Sequence, residues 1–364
     1  MTRKKIVIAT GGTGGHIFPA LSLANYLKNH DYSIELITDK RGLRYLKDYD
    51  KINLKEIPSS PLIKKNIFRF LLSILVIVYS IMRTFLYFIF NRPSIVFGMG
   101  GYSSFPICIA ASILRIKFII YENNLIIGKA NRYLLPLTKK IFVSYNDIEG
   151  ISDKYKNKVC EVGNIIREEI IDLNNINNQK YINDDMKILI LGGSQAAKVF
   201  ADELPHIFEK LKKKEIKFKV FQQCQRDQID QLSQFYKKIE IEHEIFYFTK
   251  NIVKYYSKAN LVITRSGASV LGELINVKIP FISIPLPSSA ENHQHKNAQF
   301  YVKKGYGYLI EEKDIKNDLY DLIYSISKKK ISIKNILSNQ SQYSDKNILQ
   351  NIRNRIEEII NEKN

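Results

Sequence analysis

GGTGGHIFPALSLA, residues 11–24, follows directly on the apolar run IVIAT, residues 6–10, and its second half has the composition of a helix. A strand, a glycine turn and a helix start in immediate succession put free backbone N–H groups and the positive end of a helix dipole at one point. The ligand expected there carries phosphate. The arrangement recurs in KILILGGSQAAKVFADEL, residues 187–204, where GGSQAA again links a short apolar run to a helical stretch. Two such turns, about one domain length apart, predict two nucleotide-fold domains facing one cleft.

A chain of 364 residues is long enough for two domains that each bury a core, and its 45% hydrophobic and 25% charged content is that of a globular protein. The formal net charge of +19 calls for a polyanionic neighbour: nucleic acid, an anionic membrane or a phosphorylated substrate. A composition biased toward Lys, Ile and Asn accounts for the excess equally well. Cys108, Cys160 and Cys224 are widely spaced and have no metal-ligand partners near them in sequence, which fits a reducing cytoplasm. The N-terminal apolar run has the length of a strand, not of a secretory signal.

Along the first half, KKIVIAT, SIELIT, PSIVFGMG, KFIIYE and KIFVSY read as buried parallel strands. ALSLANYLKNH, FPICIAASILR and GKANRYLLPL read as the helices between them. This is a doubly wound α/β pattern. An Asn-rich stretch, LNNINNQKYINDD at residues 173–185, breaks the periodicity as an interdomain linker. KILILGG, KFKVFQQ, EIFYF, ANLVITRSG and PFISIPL then restart the strands, and NILQNIRNRIEEII at residues 347–360 has helical spacing. The expected division is 1–165 for the first domain, 166–185 for the linker, 186–343 for the second domain, and 344–364 for a helix packing back on the first.

A dinucleotide-binding domain is the obvious rival, because Asp39 ends the second strand where an acid would hold a ribose. The G-x-G-x-x-G spacing fails, however: from Gly12 and Gly14 the third glycine falls on Ile17. His16 is more telling. In the first turn of a helix its cationic form is disfavoured, and a neutral imidazole is what a general base requires. GMGGYSSFP, residues 98–106, and YENN, residues 121–124, also end strands of this half, so all three segments converge on one sheet edge. In the second half TRSGASVLGE, residues 264–273, places Glu273 one to two turns into a helix, where a carboxylate can accept both ribose hydroxyls. His293 and His295, two residues apart at a helix start, point away from each other, which argues against zinc. The triplet Asp48–Tyr49–Asp50 matches the metal signature of another transferase fold but lies in a polar, Lys-rich stretch away from every glycine turn, and reads as a solvated loop.

GGTGGHxxPA, GMGGYSSFP, ENN followed by GKANR, GNxxR at residues 163–167, GGSQAA, TRSGA with Glu273, and ENHQHKNA occur here in the order found in one family. From residue 6 to 306 the chain resembles the MurG family, the lipid II-forming N-acetylglucosamine transferases of peptidoglycan synthesis. The resemblance implies a GT-B glycosyltransferase fold, in which two Rossmann-like domains with parallel sheets face an interdomain cleft. It implies inverting transfer of N-acetylglucosamine from UDP-N-acetylglucosamine to the C4 hydroxyl of the muramoyl sugar of lipid I, the undecaprenyl-diphosphate muramoyl-pentapeptide. No cofactor and no metal are implied.

Carried over by position, Thr13, Gly14 and Gly15 line the diphosphate and sugar side. Asn124 and Arg167 match donor-contacting positions, and Ser194 matches a phosphate-side serine. Thr249 matches a residue whose backbone reads uracil. Ala268, Ser269, Val270, Leu271, Gly272 and Glu273 cover the nucleoside, with Glu273 on the ribose, and Gln294 matches an amide on the sugar. His16 is the candidate base and Glu122 the alternative. Asn123 replaces the usual Gln, shortening its reach by one methylene, and Ala196 replaces a Gly, at a cost of about 1 kcal/mol if the turn needs positive φ. The rival readings are a transferase acting on another lipid such as diacylglycerol, and a basic membrane- or nucleic-acid-binding module without catalysis. Lys and Arg are spread along the chain with no aromatic–basic platform, which disfavours nucleic acid.

IFRFLLSILVIVYSIMRTFLYFIF, residues 67–90, has transmembrane length. On a helix, Arg69, Ser73, Ser80, Arg83, Thr84 and Tyr87 fall within about 60° of one line and leave roughly 240° apolar. That stripe argues against a spanning helix. The expectation is a crossover helix that covers its sheet with about 100° of the apolar arc and turns the remainder, flanked by Lys64, Lys65, Arg69 and Arg92, to the anionic cytoplasmic leaflet as a peripheral contact.

Overall fold

The computed structural model describes residues 3–46, 52–61, 66–173, 185–193, 197–249, 251–329 and 331–362. The 48–50 triplet, Lys64, Lys65, most of the Asn-rich stretch, Ser194 and Ala196 lie outside the described residues. The chain divides into two compact units, Met1–Arg167 with Lys346–Asn364, and Glu168–Asp345.

The first unit runs β1 (Lys5–Ala9), α1 (Gly14–Asn29), β2 (Ser33–Thr38), α2 (Lys40–Leu46), β3 (Asn53–Glu56), α3 (Ile67–Phe90), β4 (Ile95–Gly98), α4 (Gly101–Ile113), β5 (Phe118–Glu122), α5 (Lys129–Leu134), β6 (Lys140–Val143) and β7 (Val159–Glu161). Its strands pair in parallel in the order β3-β2-β1-β4-β5-β6-β7. The order reverses between β1 and β4, the switch point where open α/β sheets take their ligands. Successive residues of β1 enter opposite cores: Ile6 and Ile8 one, Val7 and Ala9 the other. A strand buried on both faces needs an unbroken apolar run, which is what makes it legible in sequence.

In the second unit α6 (Glu168–Asp172) precedes β8 (Met186–Leu191), α7 (Lys198–Lys213), β9 (Phe218–Gln223), α8 (Ile229–Lys238), β10 (Glu242–Phe246), α9 (Val253–Tyr256), β11 (Leu261–Thr264) and α10 (Ala268–Asn276). β12 (Phe281–Ser283), α11 (His293–Lys303), β13 (Tyr308–Leu309), α12 (Ile315–Ser327) and α13 (Lys334–Ser341) complete it. The parallel order β10-β9-β8-β11-β12-β13 puts this switch point between β8 and β11. Lys278 donates to the carbonyls of Ile275, Gln340 and Tyr343, fastening the end of α13 to the loop after α10. Burial outweighs the nearby Asp345 carboxylate and pulls the Lys278 ammonium down to about 8.

The last helix, α14 (Ile348–Asn361), belongs to the first unit. Ile348, Leu349, Ile352, Ile356 and Ile359 join the core formed by Ile6, Ile8 and the apolar side of α1. Tyr32 donates to Glu357 at 2.6 Å, and Lys117 donates to the Ile359 carbonyl at 2.9 Å.

Helix α3 departs from its sequence expectation. The polar stripe, not a broad apolar arc, forms the centre of the inward face: Ser73, Ser80 and Thr84 are buried together with Phe88. Ser80 donates to the Pro58 carbonyl at 2.6 Å, Thr84 to the Ser80 carbonyl at 2.7 Å, and Ser60 to Ser73 at 3.0 Å. Small hydroxyls whose protons go to backbone carbonyls or a serine partner fit close to neighbouring chain without unsatisfied polar groups. Among the apolar residues only Phe88 is fully buried, with Ile81 and Phe85 packed partly beside it. Leu71, Leu72, Leu75, Val78, Met82, Leu86, Ile89 and Phe90 are exposed, Leu75 by 63% and Phe90 by 83%.

Candidate functional site

In the first unit, the turns after β1, β4 and β5 lie side by side because those strands are neighbours in the sheet. Gly12 has φ +83° and Gly100 φ +85°, conformations that disfavour any side chain. His16, in the first turn of α1, packs its ring against the second loop: Cε1 lies 3.4 Å from where a Gly100 Cβ would stand. The same point is 3.4 Å from Asn131 Nδ2. His16, the Gly100 loop and the Asn131–Glu122 pair therefore share one small volume.

Glu122 is 4% exposed and its carboxylate is fully engaged. Oε1 accepts from Asn124 N at 3.2 Å and Asn124 Nδ2 at 2.9 Å. Oε2 accepts from Gly128 N at 2.9 Å and Asn131 Nδ2 at 3.0 Å. This carboxylate organises the ENN and GKANR segments around itself. Arg167 sits over the Phe18 ring with its guanidinium carbon 5.3 Å from the centroid, which ties the GNxxR segment to α1.

Asp39 binds no open ribose position. It is buried; Oδ1 accepts from Gly12 N at 3.2 Å and Gly42 N at 2.9 Å, while Oδ2 accepts from Ser59 at 2.8 Å and from Arg41 Nε and Nη2 at 2.8 and 2.6 Å. Burial pushes this carboxyl up, but the donors of Gly42, Ser59, Arg41 and Gly12 outweigh it and bring the group down to about 2. Asp39 is the clasp of the first glycine loop, a role the sequence hinted at only by its place at the end of β2.

In the second unit, Gly193 (φ +78°) after β8 and Gly267 before α10 flank the switch point, and a Cβ at either would meet nothing within 4 Å. Gly267 therefore borders open space at the start of α10. Gly192 N donates to Gln223 Oε1 at 3.1 Å, which fixes the root of the GGS turn. Glu273 lies on α10, 8% exposed, and Tyr256 donates its phenol to Oε2 at 2.9 Å. Gln294 Oε1 accepts from both Ser266 N at 3.2 Å and Leu286 N at 2.9 Å, which defines its amide orientation. Thr249 Oγ1 accepts from Asn251 N at 3.1 Å in the turn after β10.

Sequence reasoning missed Arg265. Buried at the end of β11, it donates to the carbonyls of Ile284 and Pro285 and to Glu312, joining the TRSG turn to the loop that carries Gln294. Nothing in TRSG marks it as internal, since an arginine beside a glycine turn usually reads as exposed. His293 Nδ1 lies 2.7 Å from the Ala290 carbonyl and His295 Nδ1 2.9 Å from Glu311 Oε1, so the two rings serve separate local contacts. Among the described residues, no group of three or more His, Cys, Asp and Glu side chains is placed to hold a metal ion.

Two parallel-sheet Rossmann-like units, each with its glycine loops at the switch point, define the GT-B glycosyltransferase fold. Residues 6–143 match the glycosyltransferase family 28 N-terminal domain and residues 187–355 the family 28 C-terminal domain. A Pelagibacter ubique protein named UDP-N-acetylglucosamine–N-acetylmuramyl-(pentapeptide) pyrophosphoryl-undecaprenol N-acetylglucosamine transferase is 34% identical over 99% of both chains. A Rickettsia canadensis protein of the same name is 36% identical over 86% of this chain and 87% of its own. The chain belongs to glycosyltransferase family 28, among the MurG transferases. In fold it is similar to the Acinetobacter baumannii MurG crystal structure, with a TM-score of 0.77 at 24% identity over 98% of this chain and 99% of that one.

Proposed function

We infer that this protein transfers N-acetylglucosamine from UDP-N-acetylglucosamine to the C4 hydroxyl of the muramoyl sugar of lipid I, forming lipid II with inversion at the anomeric carbon. The observation that carries the reading is the full-length relationship to the Pelagibacter ubique transferase, and the loops described above supply groups suited to the chemistry. The acceptor oxygen bonds to the anomeric carbon as the bond from that carbon to the β-phosphate oxygen breaks, and UDP leaves with the bonding electron pair. His16 takes the hydroxyl proton. It stands in the first turn of α1 with its ring against the Gly100 loop. Glu122, enclosed by four donors, acts as a positioning group for this loop.

Thr13, Gly14 and Gly15 line the sugar and diphosphate side, with Asn124 and Arg167 as donor contacts from the same unit. In the second unit the start of α10 directs N–H groups at the UDP phosphates, stabilising the charge that develops on the leaving group without a metal, and Ser194 is the phosphate-side serine by its match to the family motif. Residues 268–273 cover the nucleoside, Glu273 receives the ribose hydroxyls, the backbone of Thr249 reads uracil, and the Nε2 of Gln294 donates to the sugar. The exposed apolar side of α3 meets the cytoplasmic leaflet as a peripheral contact, with Lys64, Lys65, Arg69 and Arg92, which flank it in sequence, supplying the charge for anionic headgroups, and nucleic acid is no partner. Transfer of labelled sugar from UDP-N-acetylglucosamine to a short-chain lipid I analogue tests the reading; absence of transfer by the folded protein rejects it.

A further inference from the structure

Arg41 is used by nothing in the mechanism above, yet it is held with unusual firmness for a residue whose side chain is 46% exposed. One edge of its guanidinium, Nε and Nη2, is locked on Asp39 Oδ2 at 2.8 and 2.6 Å. Its carbon lies 5.9 Å from the centroid of the exposed Tyr102 ring, which adds a second constraint. Nη2 also stands 3.9 Å from the Cβ position of Gly12, so the cation overlooks the glycine loop. Asp39 does not cancel it as a recognition group: the carboxylate is buried behind it and shared among five donors, while the Nη1 edge makes no hydrogen bond among the described residues. A forked cation fixed from behind, with its other edge unbonded among the described residues and its side chain 46% exposed, suits a phosphate oxygen better than a mobile surface arginine does.

Its place in the fold says which phosphate. Asp39, which Arg41 grips, receives Gly12 N of the His16 loop on one side and the Ser59 hydroxyl on the other, and the adjacent Ser60 donates to Ser73 of α3, so a short run of contacts links the Arg41 site to both the loop and the helix whose outer side is apolar. An acceptor with its sugar hydroxyl at His16 and its isoprenoid chain at α3 carries a diphosphate between the two. We propose that Arg41 binds the diphosphate of the lipid-linked acceptor and so registers the muramoyl sugar against His16. This rests on the acceptor inferred above.

The test is steady-state kinetics of wild type, Arg41→Met and Arg41→Lys in detergent, with a short-chain lipid I analogue and its monophosphate-linked counterpart. The expected result for Arg41→Met is an acceptor KM raised about 10- to 100-fold, a donor KM changed less than about two-fold, and loss of the preference for diphosphate over monophosphate. Arg41→Lys, which keeps a cation against Asp39, should fall between the two, and it decides the matter if Arg41→Met melts early. An unchanged acceptor KM in both variants, or donor and acceptor KM raised alike, overturns the proposal. Wild-type protein that glycosylates neither analogue rejects the inferred reaction itself, an outcome separate from any behaviour of the variants.

Discussion

Asn131 divides its buried amide between the Tyr121 carbonyl at 2.9 Å and Glu122 Oε2 at 3.0 Å, so the end of β5 and the start of α5 are pinned by one side chain. Of the two candidate bases, then, one is a structural hub and the other faces the glycine loop. Removing Glu122 strands four N–H donors, and Glu122→Ala should destabilise the first unit by about 2–3 kcal/mol. His16→Ala should lower kcat by about two to four orders of magnitude with little change in donor KM and no drop in melting temperature. Kinetics beside thermal melts separate the two. Normal turnover in a folded His16→Ala protein removes the histidine from the chemistry.

Asp39 gives the glycine loop an acid limit. Its carboxyl titrates at about 2 in the folded protein against 3.8 for the unconstrained group, so the unfolded chain binds the proton more readily. The stabilisation is present above about pH 4 and is lost as pH falls through about 2. Asp39→Asn should cost about 2 kcal/mol at neutral pH, and the gap to wild type should close between pH 4 and 2. Denaturant midpoints across that range check this, and a gap independent of pH contradicts it.

Glu273 should carry much of the nucleotide affinity. Under the ribose role proposed above, Glu273→Ala removes two charge-assisted bonds and should weaken UDP binding by about 1–3 kcal/mol in calorimetry. Tyr256→Phe, which removes the hydrogen bond bracing Oε2 at 2.9 Å, should weaken it by about 0.5–1.5 kcal/mol. Equal affinity in Glu273→Ala and wild type counts against the ribose role.

The parts legible in sequence were those with a one-dimensional signature. IVIAT and KILIL announce central strands because burial on both faces demands near-continuous apolar runs, and SIELIT keeps the pattern with one interruption, the buried Glu35, which is held by Tyr87 and Lys5. The short edge strands β3 (NLKE), β7 (VCE) and β13 (YL) carry no such run, because an edge is half solvated and its pairing comes from the neighbouring strand. The glycine loops were visible as motifs, but their clasps were not. That Asp39 reaches Gly12, or Arg265 the carbonyl of Pro285, depends on strand neighbours far apart in sequence. Helix α3 exposed a limit of periodicity: its stripe was readable, but which side faces inward was not, because hydroxyl-to-carbonyl packing reverses the usual rule.

That reversal leads to the membrane. A helix 24 residues long and apolar enough to cross a bilayer normally hides its leucines in a core, yet here Leu75 and Met82 are 63% and 60% exposed. A continuous apolar face of this size on a folded unit marks an interaction surface. A true span is disfavoured, because Ser80 and Thr84 are bonded within the unit and Arg83 lies midway along the helix. The face should therefore dip into the interface while basic side chains meet anionic lipid. Flotation with anionic vesicles at low salt should recover the protein with the lipid, and high salt or alkaline carbonate should release it. Leu75→Glu with Met82→Glu should cut the bound fraction by about ten-fold while leaving the melting temperature unchanged, because neither side chain packs in the core. Retention after carbonate would mean insertion across the bilayer, and failure to float at low salt would leave the apolar face to another protein surface.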